Sequence, residues 1–207
     1  PLWSRGLGDV YKRQVMRQGR QMSIRARRGV VLATGGFPWD SARRQQAYPH
    51  PTGDWSMSPR DNTGDGIRMA EGAGAALGQG HCSPAFWAPV SILEQPGRAP
   101  LHYPHLVWDR AKPGLIAVNG AGRRFVNEST SYHAFVEAMY RSHADTPTVP
   151  AYLLCDQRFI DTWGLGLALP GGRPRQHLID AGYLLQAPTL QALSLIHISE
   201  PTRPERI

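Results

Sequence analysis

Two glycine clusters and one tyrosine are the residues in this chain whose type and spacing could do chemistry. The first cluster, Thr34-Gly35-Gly36, closes the apolar run at residues 30–33 (VVLA). A continuous run of that kind predicts a strand buried on both faces of an α/β sheet. Glycines at its carboxyl end leave out the Cβ atoms that would hold a ligand away, and ligands of open α/β sheets bind at that end. The second cluster, residues 60–66 (RDNTGDG), runs straight into residues 67–77 (IRMAEGAGAAL). Ile67, Ala70, Gly74 and Leu77 keep helical spacing, and the small residues at 70 and 72–76 let such a helix lie close against a neighbour. Backbone N–H groups at its start, with the helix dipole, suit a pyrophosphate or the polar edge of a ring. The plain structural reading stands beside this: a turn at 34–36, and an ordinary helix entry capped by Asp65.

The tyrosine is Tyr132, at the head of residues 132–140 (YHAFVEAMY). A phenol gives up its proton near neutrality only with a donor or a positive charge beside it. Tyr132, Phe135, Met139 and Tyr140 also fall at helical spacing, so Tyr132 is either a proton-transfer group or part of a core stripe. His133 is a weaker candidate. His81, His102 and His105 show no HxH or HExxH arrangement, and no metal is expected.

Several elements must position these groups. A Gln18-Gly19 turn followed by alternating Met22, Ile24 and Ala26 predicts a hairpin early in the chain. Residues 115–118 (LIAV) and 124–126 (RFV) predict two short strands about a turn at 119–122. Residues 152–155 (YLLC) predict a further strand, and 156–163 a helix capped by Asp156. Residues 175–181 and 188–192 read as helical. After Gly80 the texture turns to prolines, aromatics and histidines, which marks a change of domain.

Three stretches, in this order and spacing, carry a resemblance: ATGGF, NTGDGIRMAEGAGA and GLIAVNGAGRRFVNES followed by a tyrosine. They resemble the FAD-binding-2 flavoproteins, which include fumarate reductase and succinate dehydrogenase flavoprotein subunits and the ketosteroid dehydrogenases. The resemblance implies an α/β plus α+β chain. Residues 15–80 would be part of a Rossmann-like FAD-binding domain, and residues 81–192 part of a capping or catalytic domain. It implies FAD as cofactor, with Ala33, Thr34, Gly35, Gly36, Thr63, Gly64, Asp65 and Gly66 as contacts. Succinate and fumarate enzymes place an arginine shortly after the RF-x-NE stretch. Here no arginine lies between Asn127 and Tyr140. Tyr132 stands instead, as in the ketosteroid enzymes, where a tyrosine acts as base near this point.

The implied activity is hydride transfer between flavin and an activated C–C bond of a 3-ketosteroid-like small molecule, with an electron acceptor or donor left unidentified. The alternatives are a fumarate- or succinate-type reductase and a truncated chain with no activity of its own. The last follows from a missing feature: no GxGxxG with an acidic residue about 20 positions on occurs in the sequence to hold the adenosine half.

The two ends follow a different logic. Written with suitable codons, RGLGDVYKRQ (5–14) and LSLIHISEPT (193–202) are translations of opposite strands of one DNA sequence, and the relation extends over 1–14 and 193–206. Such an inverted repeat has no protein logic, and it resembles transposase-type adapters from sequencing libraries. Residues 1–14 and 193–207 are therefore expected to be artefactual and are given no role. The formal charge of +7 includes +2 from residues 1–14 and nothing from 193–207, so the interior carries about +5. Its arginines are scattered, without a nucleic-acid-binding signature, and no nucleic-acid partner is expected. Cys82 and Cys155 lie far apart, which fits a reducing, cytoplasmic setting better than a disulfide framework. No apolar stretch approaches the roughly 20 residues of a membrane span.

Overall fold

The computed structural model describes residues 12–50, 53, 55–78 and 80–199. The chain divides into two units, Pro1–Pro84 and Ala85–Ile207.

The first unit opens with the expected hairpin. Strands β1 (Lys12–Arg17) and β2 (Arg20–Arg25) pair antiparallel with Val15 opposite Met22. Gln18 and Gly19 both have positive φ, 50° and 74°, as a type I′ turn between two twisted strands demands. The hairpin begins at Lys12, inside the segment read as artefactual. Residues 30–33 do not form the predicted strand, and Val31 is 91% exposed. A strand exists by pairing, and the strands described in this unit, β1 and β2, pair with each other and not with this run. Apolar composition alone cannot supply the missing ladder.

Two helices follow. Helix α1 (Ser41–Ala47) is capped by Asp40, whose carboxylate accepts the Arg43 N–H at 3.0 Å. Helix α2 covers Asp65–Gly72 and stops short of the predicted Leu77. It stops because Gly74 takes a left-handed φ of 87°, so that Ala75 N–H reaches Ala70 O and Gly74 N–H reaches Glu71 O. A glycine that could have continued the apolar face ends the helix instead. Arg43 clasps Glu71 through two hydrogen bonds of 3.1 and 2.8 Å, and Arg68 reaches Asp40 at 3.0 Å, tying α1 to α2.

The second unit holds every buried hydrophobic residue among the described residues. Strands β3 (Val90–Leu93) and β4 (Leu101–Pro104) form an antiparallel pair, and helix α3 (Val107–Arg110) follows. Strand β5 (Leu115–Val118) pairs antiparallel with β6 (Tyr152–Cys155), Leu115 opposite Cys155. The predicted strand at 124–126 shrinks to a single bridge between Arg124 and Val118. The reason is local. The Glu128 carboxylate takes the Ala117 N–H at 2.8 Å, in place of a further strand carbonyl.

Helix α4 (Tyr132–His143) is capped by Ser131, and α5 (Gln157–Trp163) by Asp156, whose carboxylate accepts Phe159 N–H at 2.7 Å. Helices α6 (Gln176–Asp180) and α7 (Leu190–Ser199) complete the unit. The apolar run at 193–198 continues α7 beyond Ala192. No described helix is long and apolar enough to cross a membrane. Leu93, Leu115, Phe159, Ile160, Leu165 and Leu178 form one core cluster that joins β3, β5, α5 and α6.

Candidate functional site

The structure brings the two glycine clusters together. Gly64 N–H donates to Gly36 O at 3.1 Å, and Trp39 N–H donates to Asn62 O at 3.2 Å. A Cβ on Gly66 would stand 2.0 Å from Thr34 Oγ1, and one on Gly35 would stand 2.7 Å from Asn62 Oδ1. The absence of side chains at 35 and 66 is thus what lets the 34–36 turn seat against the start of α2. Gly64, with φ of 83°, occupies the N-cap position and offers no side chain to the helix. Asp65 is not the cap: it is the first helical residue, and its carboxylate accepts from Thr63 Oγ1 at 3.2 Å and from Arg68 Nη2. With no capping side chain, the first N–H groups of α2 stay available to an acceptor.

Beside this interlock lies a cleft of ≈ 220 Å³, with Leu32, Thr34 and Gly35 on one wall and Gly66, Ile67, Ala70 and Leu77 among the rest. Of the expected cofactor contacts, Thr34, Gly35 and Gly66 line it. Ala33, Gly36, Thr63, Gly64 and Asp65 build the turns next to it. The lining is mostly apolar. Its carboxylate, Glu71, is held below the usual carboxyl range by its hydrogen bonds with Arg43. Arg68 is likewise engaged, with Asp40, Asp65 and the Thr63 carbonyl.

In the second unit Tyr132 opens α4 and is 37% exposed, while Phe135, one turn on, is 2% exposed. Of the two readings of that stripe, Phe135 is the core residue and Tyr132 faces outward. The Tyr132 hydroxyl has no hydrogen-bond partner among the described residues. His133 is occupied: Nδ1 accepts Trp87 N–H at 3.1 Å, and Nε2 lies 3.3 Å from Glu137.

Sequence reasoning missed the residues that brace the approach to Tyr132. Glu128 is 5% exposed, and it accepts Ala117 N–H at 2.8 Å, Arg124 Nε at 2.8 Å and Arg124 Nη2 at 2.5 Å. The hydrogen bonds from Arg124 lead in holding its carboxyl down at about 2. Arg110 is fully buried. Its Nε donates to His105 O at 2.8 Å, Nη1 to Glu128 O at 2.7 Å and Nη2 to Thr130 O at 3.2 Å. The guanidinium also lies 4.3 Å from the Phe135 ring centroid. The four-residue step from Arg124 to Glu128 was a visible signal for their pairing. A lone arginine at 110 gave none.

Comparison with known proteins gives the family to which the chain belongs. The FAD binding domain family matches residues 5–192, and the chain belongs to that family. FAD, the cofactor expected from the sequence, agrees with this membership. The chain is 38% identical over 178 residues to a 3-oxosteroid 1-dehydrogenase of Mycobacterium tuberculosis, covering 83% of this chain and 30% of the relative. It is 35% identical over 176 residues to a 4-oxocyclohex-2-ene-1-carboxylate 5-dehydrogenase of Sinomonas cyclohexanicum, covering 83% and 29%. It is also similar to the crystal structure of 3-ketosteroid delta1-dehydrogenase from Sterolibacterium denitrificans in complex with 1,4-androstadiene-3,17-dione. That match has a TM-score of 0.66 and 37% identity over 81% of this chain and 30% of that one. The chain spans about 30% of the length of these relatives.

Proposed function

We propose that the chain is part of an FAD-dependent oxidoreductase acting on the C–C bond next to the carbonyl of a cyclic, 3-ketosteroid-like ketone. The carrying observation is the interlock of Thr34-Gly35 with Gly66 beside an apolar cleft. The similarity to enzymes named for 3-oxosteroid and oxocyclohexene substrates supports the substrate class.

The residues present fit part of the cofactor. Thr34, Gly35 and Gly66 would hold it at a neutral ring edge, with the first N–H groups of α2 as donors. A pyrophosphate suits this cleft poorly, because Glu71 lines it, Asp65 stands at the helix entry, and Arg43 and Arg68 are already paired. At ≈ 220 Å³ the cleft is also smaller than the roughly 300–1,000 Å³ of sites that enclose a drug-sized ligand. The 207-residue chain by itself is therefore expected to bind FAD weakly. Bound FAD supplies the hydride acceptor or donor for the neighbouring carbon.

The remaining work falls to the protein. The ketone acidifies the hydrogens on its adjacent carbon, and Tyr132 Oη, as the phenolate once the rest of the parent protein sets a donor or positive charge beside it, takes one of these as a proton in dehydrogenation; as the phenol it returns it in reduction. Exposure at the head of α4 lets Tyr132 exchange its own proton with water between turnovers. The second unit acts as part of the capping or catalytic domain. Two unpaired thiols, Cys82 and Cys155, agree with a cytoplasmic setting.

The test is product analysis. The intact parent protein, given a 3-ketosteroid and an artificial electron acceptor, is expected to yield the ring-unsaturated ketone. Turnover of fumarate or succinate with no reaction of the ketone would establish the rival reading.

A further inference from the structure

We propose that Arg110 is a positioning residue for Tyr132, and that a buried relay centred on His105 fixes Arg110 in place. The inference rests on the reading of Tyr132 as the proton-transfer group.

The relay is a continuous chain of four side chains. His105 Nδ1 lies 2.6 Å from Asp109 Oδ2, and His105 Nε2 lies 2.8 Å from Ser91 Oγ. Ser91 Oγ lies 2.6 Å from Tyr183 Oη, which accepts Leu167 N–H at 3.1 Å. One direction of donation satisfies each step. The Tyr183 hydroxyl donates to Ser91, Ser91 donates to His105 Nε2, and His105 Nδ1–H donates to the Asp109 carboxylate. The segment at Gly166 is shaped to this chain: a Cβ there would stand 2.2 Å from Tyr183 Oη and 3.1 Å from His105 Cε1. The spacing resembles that of a serine nucleophile, its base and an orienting acid. Here, however, Tyr183 uses the acceptor side of Ser91, and the linear chain is a brace joining β3, α3 and the 166–183 segment.

What the brace holds is the main chain of His105. Its carbonyl is the acceptor for Arg110 Nε, and Arg110 spends its other two nitrogens on Glu128 O and Thr130 O. Those carbonyls flank the turn just before Ser131, the cap of α4, and Tyr132 is the next residue. The guanidinium also packs on Phe135, one turn into the same helix. Burying this charge costs free energy, which three carbonyls, a ring face and the nearby Asp109 carboxylate offset. A hydrocarbon of equal size could fill the volume. It could not fix three carbonyls, and through them the start of the helix, in one arrangement.

The test uses the intact parent flavoenzyme and counts rate per bound flavin, so that lost protein does not mimic lost function. In Arg110→Ala, flavin reduction by the ketone is expected to slow by roughly 10- to 100-fold, the effect of a misplaced reacting group. KM is expected to change less than about threefold, because uniform binding is left intact. Reduction by dithionite should be unaffected, and added guanidinium should recover part of the rate. Arg110→Lys, which is easier to fold, keeps the charge but cannot span three carbonyls, and it should show the same split. A wild-type rate per bound flavin in either variant overturns the inference. Tyr132→Phe separates the two claims: if it reacts normally the reading of Tyr132 fails, and if it is slow while either Arg110 variant is normal only the positioning role fails.

Discussion

Gly66 and Thr34 share a space with no room for a methyl group: a Cβ at 66 would meet Thr34 Oγ1 at 2.0 Å. Residue 34 belongs to the turn after the exposed apolar run and residue 66 to the first turn of α2, so this contact joins the two halves of the proposed cofactor cleft. Gly66→Ala is expected to destabilise the first unit by about 1–3 kcal/mol, the usual cost of overpacking. It should also weaken FAD binding in the intact parent. Adding Thr34→Ala removes the obstructing oxygen and should recover most of the lost stability, since residues in contact couple strongly, while the FAD contact of Thr34 itself stays lost. Flavin fluorescence titration of the single and double variants measures this. Equal affinity of Gly66→Ala and wild type would show that the interlock plays no part in the cofactor site.

Glu128 makes stability depend on acid. Its folded carboxyl sits at about 2, below the ordinary 4.5, mainly because Arg124 bonds to it. A depressed carboxyl contributes stability that is fully present above the unfolded value and lost as pH falls through the folded one. The loss should therefore run from about pH 4.5 down to about pH 2. Its size is on the order of 3 kcal/mol. Urea denaturation across that range should show the slope in the wild-type chain. Glu128→Gln, less stable at neutral pH by about 1–3 kcal/mol, should flatten it. An unchanged slope in the variant would assign the acid sensitivity to other groups.

The two cysteines should differ sharply toward thiol reagents. Burial, chiefly, pushes the Cys155 thiol up to about 11, whereas Cys82 is exposed. The thiolate is the reactive form. Near neutral pH one thiol should react quickly in the native chain, and the second only after denaturation. Peptide mapping of the labelled protein should place the fast label on Cys82. Fast labelling of Cys155 would contradict its burial.

What the sequence made legible was what neighbouring residues decide among themselves. Gln18-Gly19 specified a turn needing two positive φ values, and Asp156 announced its helix through a cap that reaches three residues ahead. The glycine clusters were visible for the same reason, although their contact, Gly64 N–H to Gly36 O, spans 28 residues and was not. The failures needed distant partners. Residues 30–33 have the composition of a strand but no strand to pair with among those described, so the run stays exposed. Residues 124–126 lost their ladder to a side chain, because the Glu128 carboxylate bonds to the backbone of β5 first. Arg110 was invisible because a single arginine carries no period, and its role comes from three carbonyls that only the fold assembles.

Tyr132 is the proposed proton-transfer group, and its surroundings set the expected pattern. Its hydroxyl reaches solvent and Phe135 takes the core position, so Tyr132→Phe should leave the fold intact. Stability should change by less than about 0.5 kcal/mol, as for most surface substitutions. The rate of ketone oxidation should fall by about 100- to 10,000-fold, the usual worth of one proton-transfer group. Thermal melts and steady-state rates on the same preparation separate these effects. A large loss of stability would return Tyr132 to a structural role.

The most direct measurement mixes the intact parent protein, loaded with FAD and free of oxygen, with a 3-ketosteroid while the flavin absorbance is followed. Rapid bleaching to reduced flavin is expected, with one ring-unsaturated ketone formed per flavin, and strong slowing in Tyr132→Phe. Flavin that stays oxidised with the ketone, yet once reduced is reoxidised by fumarate, would contradict it.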